Sequence, residues 1–141
     1  NLGVDVAIPD DYISDMGQRL RTYKRVSSAR DEETLREILT ETQDRYGRLP
    51  ESVLRLFEYA QLRRLAEEVG VVSIDRTPTG IAIKLGEKAR VEPEKLMALV
   101  GEREGASFAP TGVLRLALNE DERDAVLETA RAMLHGIRAE G

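Results

Sequence analysis

The hydrophobic period of this chain changes at Gly70, and that change limits the possible folds more than any other feature. From about Ser14 to Gly70 the apolar residues recur every three to four positions, the spacing of one face of a helix. After it, Val71, Val72 and Ile74, then Ile81, Ile83 and Leu85, follow the period of two that suits a strand. A pattern of one period cannot serve the other element without turning its apolar residues to water. Helices therefore come first and strands later. The predicted class is α+β, with N-terminal helices packed on an antiparallel or mixed sheet built from β-hairpins, and a C-terminal helix.

The elements follow from local signals. Leu2, Val4, Val6 and Ile8 alternate with Gly3, Asp5 and Ala7 and predict a short opening strand, ended by Pro9-Asp10-Asp11. Ser14 or Asp15 can cap a first helix reaching about Ser27, with Met16, Leu20, Tyr23 and Val26 inward. Asp31 is the N-cap of a second, whose inner stripe is Leu35, Ile38, Leu39, Thr42 and Tyr46. Gly47 stops it and Pro50 opens a third, with Val53, Leu54, Phe57, Ala60, Leu65 and Val69 on a wide apolar arc.

A hairpin then turns at Thr77-Pro78-Thr79-Gly80, and a short strand is expected near Ala89–Val91. Pro93 opens a short helix holding Leu96, Met97, Leu99 and Val100, and a second hairpin turns at Pro110-Thr111-Gly112. Asn119 with Glu122 is a capping-box pattern for a last helix with Val126, Leu127, Ala130, Met133 and Leu134 inward, which Gly136 is expected to end. The two Pro-Thr-Gly turns, 32 residues apart, fit either two related strand-turn-strand-helix units sharing one sheet or two ordinary hairpins with the same turn chemistry.

Several chemistries are excluded. With 141 residues the chain can bury one real core, and with no Cys it has no disulfide, thiolate nucleophile or Cys-bound zinc. That fits a reducing, cytoplasmic setting. No apolar run approaches the roughly 20 residues of a membrane span. Neither a Walker-type phosphate loop nor a G-x-G-x-x-G turn occurs, so no ATP or dinucleotide site is expected in this chain. His135, the single His, lies in a last helical turn, where it suits the dipole better than a triad or a metal. No catalytic residue, metal ligand or cofactor-binding residue is predicted. The chain opens Asn1-Leu2-Gly3 without Met and is expected to be a piece of a longer protein.

Net charge is −5, which disfavours a dedicated nucleic-acid binder, and residues 31–70 alone carry −4. Helical geometry places Glu33, Glu37, Glu41 and Asp44 on one stripe roughly opposite Leu35, Ile38, Leu39 and Tyr46. Glu41 and Asp44 occupy the last two turns, where the helix end is itself partially negative. Two readings stand. The stripe is a solvated face, with Glu41 paired to Arg45 and Arg48 reaching back to Asp44, or it is a surface on which a basic partner docks. A basic run, Arg19, Arg21, Lys24 and Arg25 around Tyr23, is a separate candidate for nucleic-acid contact.

Four motifs in order carry a resemblance: Asp5-Val6-Ala7-Ile8-Pro9, Tyr12-Ile13, Gln18-Arg19-Leu20 with Tyr23-Lys24-Arg25, and Asp44-Arg45-Tyr46-Gly47 with Leu49-Pro50. Together they resemble the C-terminal domain of bacterial transcription-repair coupling factors. The similarity is strong over residues 1–65 and rests on hydrophobic pattern beyond Gly70. The resemblance implies that residues 1–13 are a strand and linker following a translocase region, 14–135 a single α+β domain and 136–141 a frayed tail. It implies a parent that uses ATP and Mg in other domains to translocate on duplex DNA, displace stalled RNA polymerase and recruit UvrA. In this family the C-terminal domain is non-catalytic and docks on a UvrB-like N-terminal module, masking the UvrA-binding surface. The acids ahead of the D-R-[FY]-G stop make that contact, which here are Glu41 and Asp44, with Glu37 on the less well matched part of the stripe. Arg45 matches as well, either as a contact or as a group orienting Glu41.

Overall fold

A computed structural model describes residues 2–140. These residues form α1 (Met16–Ser28), α2 (Glu32–Tyr46), α3 (Glu51–Val69), β1 (Val71–Arg76), β2 (Gly80–Leu85), α4 (Pro93–Glu102), β3 (Ala106–Phe108), β4 (Val113–Ala117), α5 (Glu120–Asp124) and α6 (Val126–Ile137). The α+β class predicted from the change of period is the one that forms. The chain divides into two compact units, one of Val4–Arg64 and one of the residues up to Gly3 with those from Leu65 onward.

The Val4–Arg64 unit is helical. Its core gathers Ile8, Ile13, Val26, Leu35, Ile38, Val53, Phe57 and Ala60, with Phe57 only 1% exposed. Asp15 caps α1 by accepting from Gln18 N, and Asp31 caps α2 by accepting from Thr34 N at 2.7 Å. The predicted facing of α1 is reversed in part. Thr22 and Val26 turn inward, whereas Met16 and Leu20 are 66% and 61% exposed. Thr22 can be buried because its hydroxyl donates to Gln18 O at 2.9 Å, so its polar group is satisfied within the helix.

The expected opening strand is absent among the described residues: residues 2–9 join no ladder, and Gly3 takes φ 64°. Their backbone groups are met by side chains instead. Within the helical unit Ile8 N donates to the Tyr23 hydroxyl at 2.6 Å and Asp5 O accepts from Arg55 at 2.9 Å. Within the other unit Leu2 O accepts from Arg76 at 3.0 Å. Alternation identified the buried Leu2 and Ile8, but such a pattern does not require a sheet partner once side chains satisfy the backbone.

The unit from Leu65 onward holds one four-stranded antiparallel sheet in the order β1-β2-β4-β3. Both predicted hairpins form, and they join through their second strands, where Ile81 faces Leu116 and Ile83 faces Leu114. All four of these side chains are at most 1% exposed. The two Pro-Thr-Gly turns use glycine differently. Gly112 has φ 92°, a conformation costly for other residues, whereas a Cβ at Gly80 would lie 2.0 Å from Leu116 O. Gly80 is thus required by the close approach of β4.

Two further expectations are corrected here. The strand near Ala89–Val91 is a single bridge between Val91 and Arg138. Gly136 does not end the last helix, which runs to Ile137, and Ile137 is fully buried. Among the described residues beyond Gly136, Ala139 N donates to Arg90 O at 2.8 Å. Gly136 stays helical because burying Ile137 and closing that bridge outweigh the roughly 1 kcal/mol that helical glycine costs. The Asn119–Glu122 capping box forms as predicted and starts α5, which breaks at Ala125 before α6.

Candidate functional site

The acidic stripe on α2 is held by the two ends of its helix. At the start, hydrogen bonds from Thr34 hold the Asp31 carboxyl below the usual carboxylate range. At the end, Gly47 takes φ 94° and its N–H donates to Gln43 O at 2.9 Å. The Tyr12 hydroxyl donates to Gly47 O at 2.7 Å, and the Tyr12 and Tyr46 rings lie 5.9 Å apart, tilted. Burial, then the neighbouring Tyr46, pushes the Tyr12 hydroxyl above its ordinary value, so it remains a donor. This clamp stops the last turn of α2 from fraying and fixes where its carboxylates project.

Glu37, Glu41 and Asp44 are exposed, as the periodicity predicts, with Leu35, Ile38 and Thr42 on the buried side. Their partners differ from those the spacing suggests. Glu41 is bound by Arg25 of α1 at 2.7 Å, and Arg45 instead lies over the Tyr46 ring, 5.2 Å from its centroid. Glu37 and Asp44 form no hydrogen bond or ion pair with the described residues. The stripe therefore presents one carboxylate held by a half-exposed arginine and two bare ones. Arg25 was a nucleic-acid candidate in sequence; contact between α1 and α2 makes it the partner of Glu41.

The other basic candidates separate. The Arg19 guanidinium donates to Ile13 O and Ser14 O at 2.8 and 2.9 Å, securing the entry to α1. Arg21 and Lys24 are exposed. Tyr23 is half-buried with its hydroxyl bonded to Ile8 N, so it does not stand among the cations as a stacking platform. Sequence reasoning missed the clamp made by Tyr12. The signal available was an aromatic in the entry segment, but its target carbonyl lies 35 residues away.

In the unit from Leu65 onward, Arg103 bonds to Glu122, and the bonds from Arg103 and Asn119 hold the Glu122 carboxyl below its ordinary range. That node is structural. The surface of this unit also carries a polar recess lined by Glu68, Arg90, Arg138 and Glu140 and a groove between α4 and α6. Among the described residues no group of three His, Cys, Asp or Glu is placed to hold a metal, and no helix is long and apolar enough to cross a membrane.

Comparison with known proteins identifies the family and the fold. The model of the TRCF domain matches residues 2–96. The transcription-repair-coupling factor of Escherichia coli is 34% identical over 132 residues, covering 92% of this chain. That of Haemophilus influenzae is 34% identical over 123 residues, covering 87% of it. The chain spans only 11% of the length of either relative. A crystal structure of the C-terminal domain of a transcription-repair coupling factor superposes with a TM-score of 0.81 at 19% identity, covering 95% of this chain and 87% of that one. The chain belongs to the TRCF domain family, the C-terminal domain of transcription-repair coupling factors.

Proposed function

We propose that this chain is a non-catalytic regulatory domain that docks through the α2 stripe on a UvrB-like N-terminal module of its parent protein and masks the surface that binds UvrA. The observation that carries this reading is the outward stripe of Glu37, Glu41 and Asp44, in which the Glu37 and Asp44 carboxylates have no partner among the described residues and Asp44 lies in the last turn of α2, where negative charge is unfavourable. A basic partner surface relieves that cost. ATP, Mg, duplex DNA and RNA polymerase belong, in this reading, to other domains of a cytoplasmic translocase.

Exposed ion pairs contribute about 0–1 kcal/mol each. A latch made of three or four of them is weak enough for a competing partner to open, and regulation is then a shift of population between docked and released states. Replacing Glu41 and Asp44 by Lys is expected to leave the fold intact, weaken docking on the UvrB-like module and raise UvrA binding by the full-length parent. Unchanged UvrA binding in that variant would overturn the reading. Docking affinity is also expected to fall steeply with salt.

A further inference from the structure

The outward face of α1 is the surface that the latch leaves unused. Met16 and Leu20, one turn apart, are 66% and 61% exposed, although their spacing with Tyr23 predicts a core stripe. The two adjacent side chains form a small apolar patch on one helix, and the charges beside it decide what it can meet. Beside them stand Arg21 and Lys24, exposed and with side chains that make no hydrogen bond or ion pair to the described residues. The remaining cations of α1 are engaged, Arg19 with the Ile13 and Ser14 carbonyls and Arg25 with Glu41.

We infer that this face docks an acidic amphipathic helix of a protein partner, whose apolar side chains cover Met16 and Leu20 and whose carboxylates meet Arg21 and Lys24. Charge complementarity selects that occupant. In a two-fold contact of α1 with α1 of a second copy, α1 contains no acidic residue to meet its own cations. A nucleic acid would have two free cations on a chain of net charge −5, and would leave the apolar pair uncovered. Two apolar side chains supply a small part of the roughly 800 Å² per partner that a stable interface buries, so the contact suits transient association. This inference is independent of the α2 latch.

The test is fluorescence polarisation of the 141-residue chain with a labelled helical peptide of about 20 residues, long enough to hold a helix, bearing a Leu stripe flanked by Glu. Saturable binding is expected. It should weaken about tenfold or more in Met16→Ser/Leu20→Ser, in Arg21→Glu/Lys24→Glu, and when the peptide's Glu residues become Lys. Circular dichroism should show both variants folded, since all four side chains face solvent. Absence of saturable binding, or binding indifferent to Met16→Ser/Leu20→Ser, overturns the inference. So does a duplex oligonucleotide that binds and is lost only with Arg21→Glu/Lys24→Glu, which would make this a nucleic-acid face. A dimer in sedimentation that Leu20→Ser abolishes would assign the face to self-association and equally overturn it.

Discussion

Replacing Glu122 by Gln is expected to destabilise the unit from Leu65 onward by about 1–2 kcal/mol at neutral pH and by almost nothing in strong acid. Glu122 Oε1 accepts from the Arg103 guanidinium and from Asn119 N at 3.0 Å, while Asn119 Oδ1 accepts from Glu122 N at 2.8 Å. The same guanidinium donates to Ala117 O at 3.1 Å. One carboxylate therefore joins the residue after α4, the end of β4 and the start of α5. Both side chains are 23% exposed, so the pair is more shielded than a surface bridge. Gln preserves an acceptor oxygen and the shape of the side chain but removes the charge, and hydrogen bonds to charged groups contribute about 1.5–3 kcal/mol against about 1 for neutral ones. Ala should cost more, because Arg103 already has its Nε buried without a partner and would lose its counterion.

The pH dependence supplies the decisive control. The folded-state pKa of Glu122 is depressed below its ordinary value of 4.5. The unfolded chain therefore binds a proton more readily, and the stabilisation is fully present above about 4.5 and lost as pH falls through the lower folded value. Gln does not titrate, so the gap between wild type and variant should close over that acidic window. Urea denaturation at pH 7 and near pH 2.5, with hydrogen exchange at Leu114 and Leu116 amides as a local probe, measures it. A double-mutant cycle with Arg103→Met should return a coupling of about 1 kcal/mol. An equal loss at both pH values, or coupling below about 0.3 kcal/mol, would refute an ionic origin.

Three other perturbations are read by the same denaturation assays. Phe57→Ala should cost about 3–5 kcal/mol, because its fully buried ring anchors the helical core and the site cannot collapse around it. Gly80→Ala should destabilise the sheet by more than about 3 kcal/mol, since the new methyl lies on the Leu116 carbonyl and backbone must move; Gly101→Ala, where nothing lies within 4 Å, is the helical control and should be tolerated. Tyr23→Phe should cost about 1–3 kcal/mol by stranding the Ile8 N–H, with faster hydrogen exchange at Ile8 as its local signature.

The sequence by itself located most of the regular elements, because caps and periodicity are local, although it also predicted strands at residues 2–8 and near 89–91 that do not form. Asp15, Asp31 and the Asn119–Glu122 box mark helix starts within one turn, and the glycine-bearing turns mark both hairpins. It also determined that Glu37, Glu41 and Asp44 face outward, since a buried stripe on one side of α2 leaves them only the other. The tertiary structure decided what those residues touch. Arg25 rather than Arg45 binds Glu41, because the contact of α1 with α2 brings residues 16 positions apart closer than a helical i,i+4 pair that an aromatic ring has already claimed. It decided as well that residues 2–9 satisfy their backbone with side chains instead of a ladder, and that Thr22 displaces Leu20 from the core. Period and capping depend on neighbours along the chain; pairing, and which of two apolar faces is covered, depend on what the rest of the chain brings alongside.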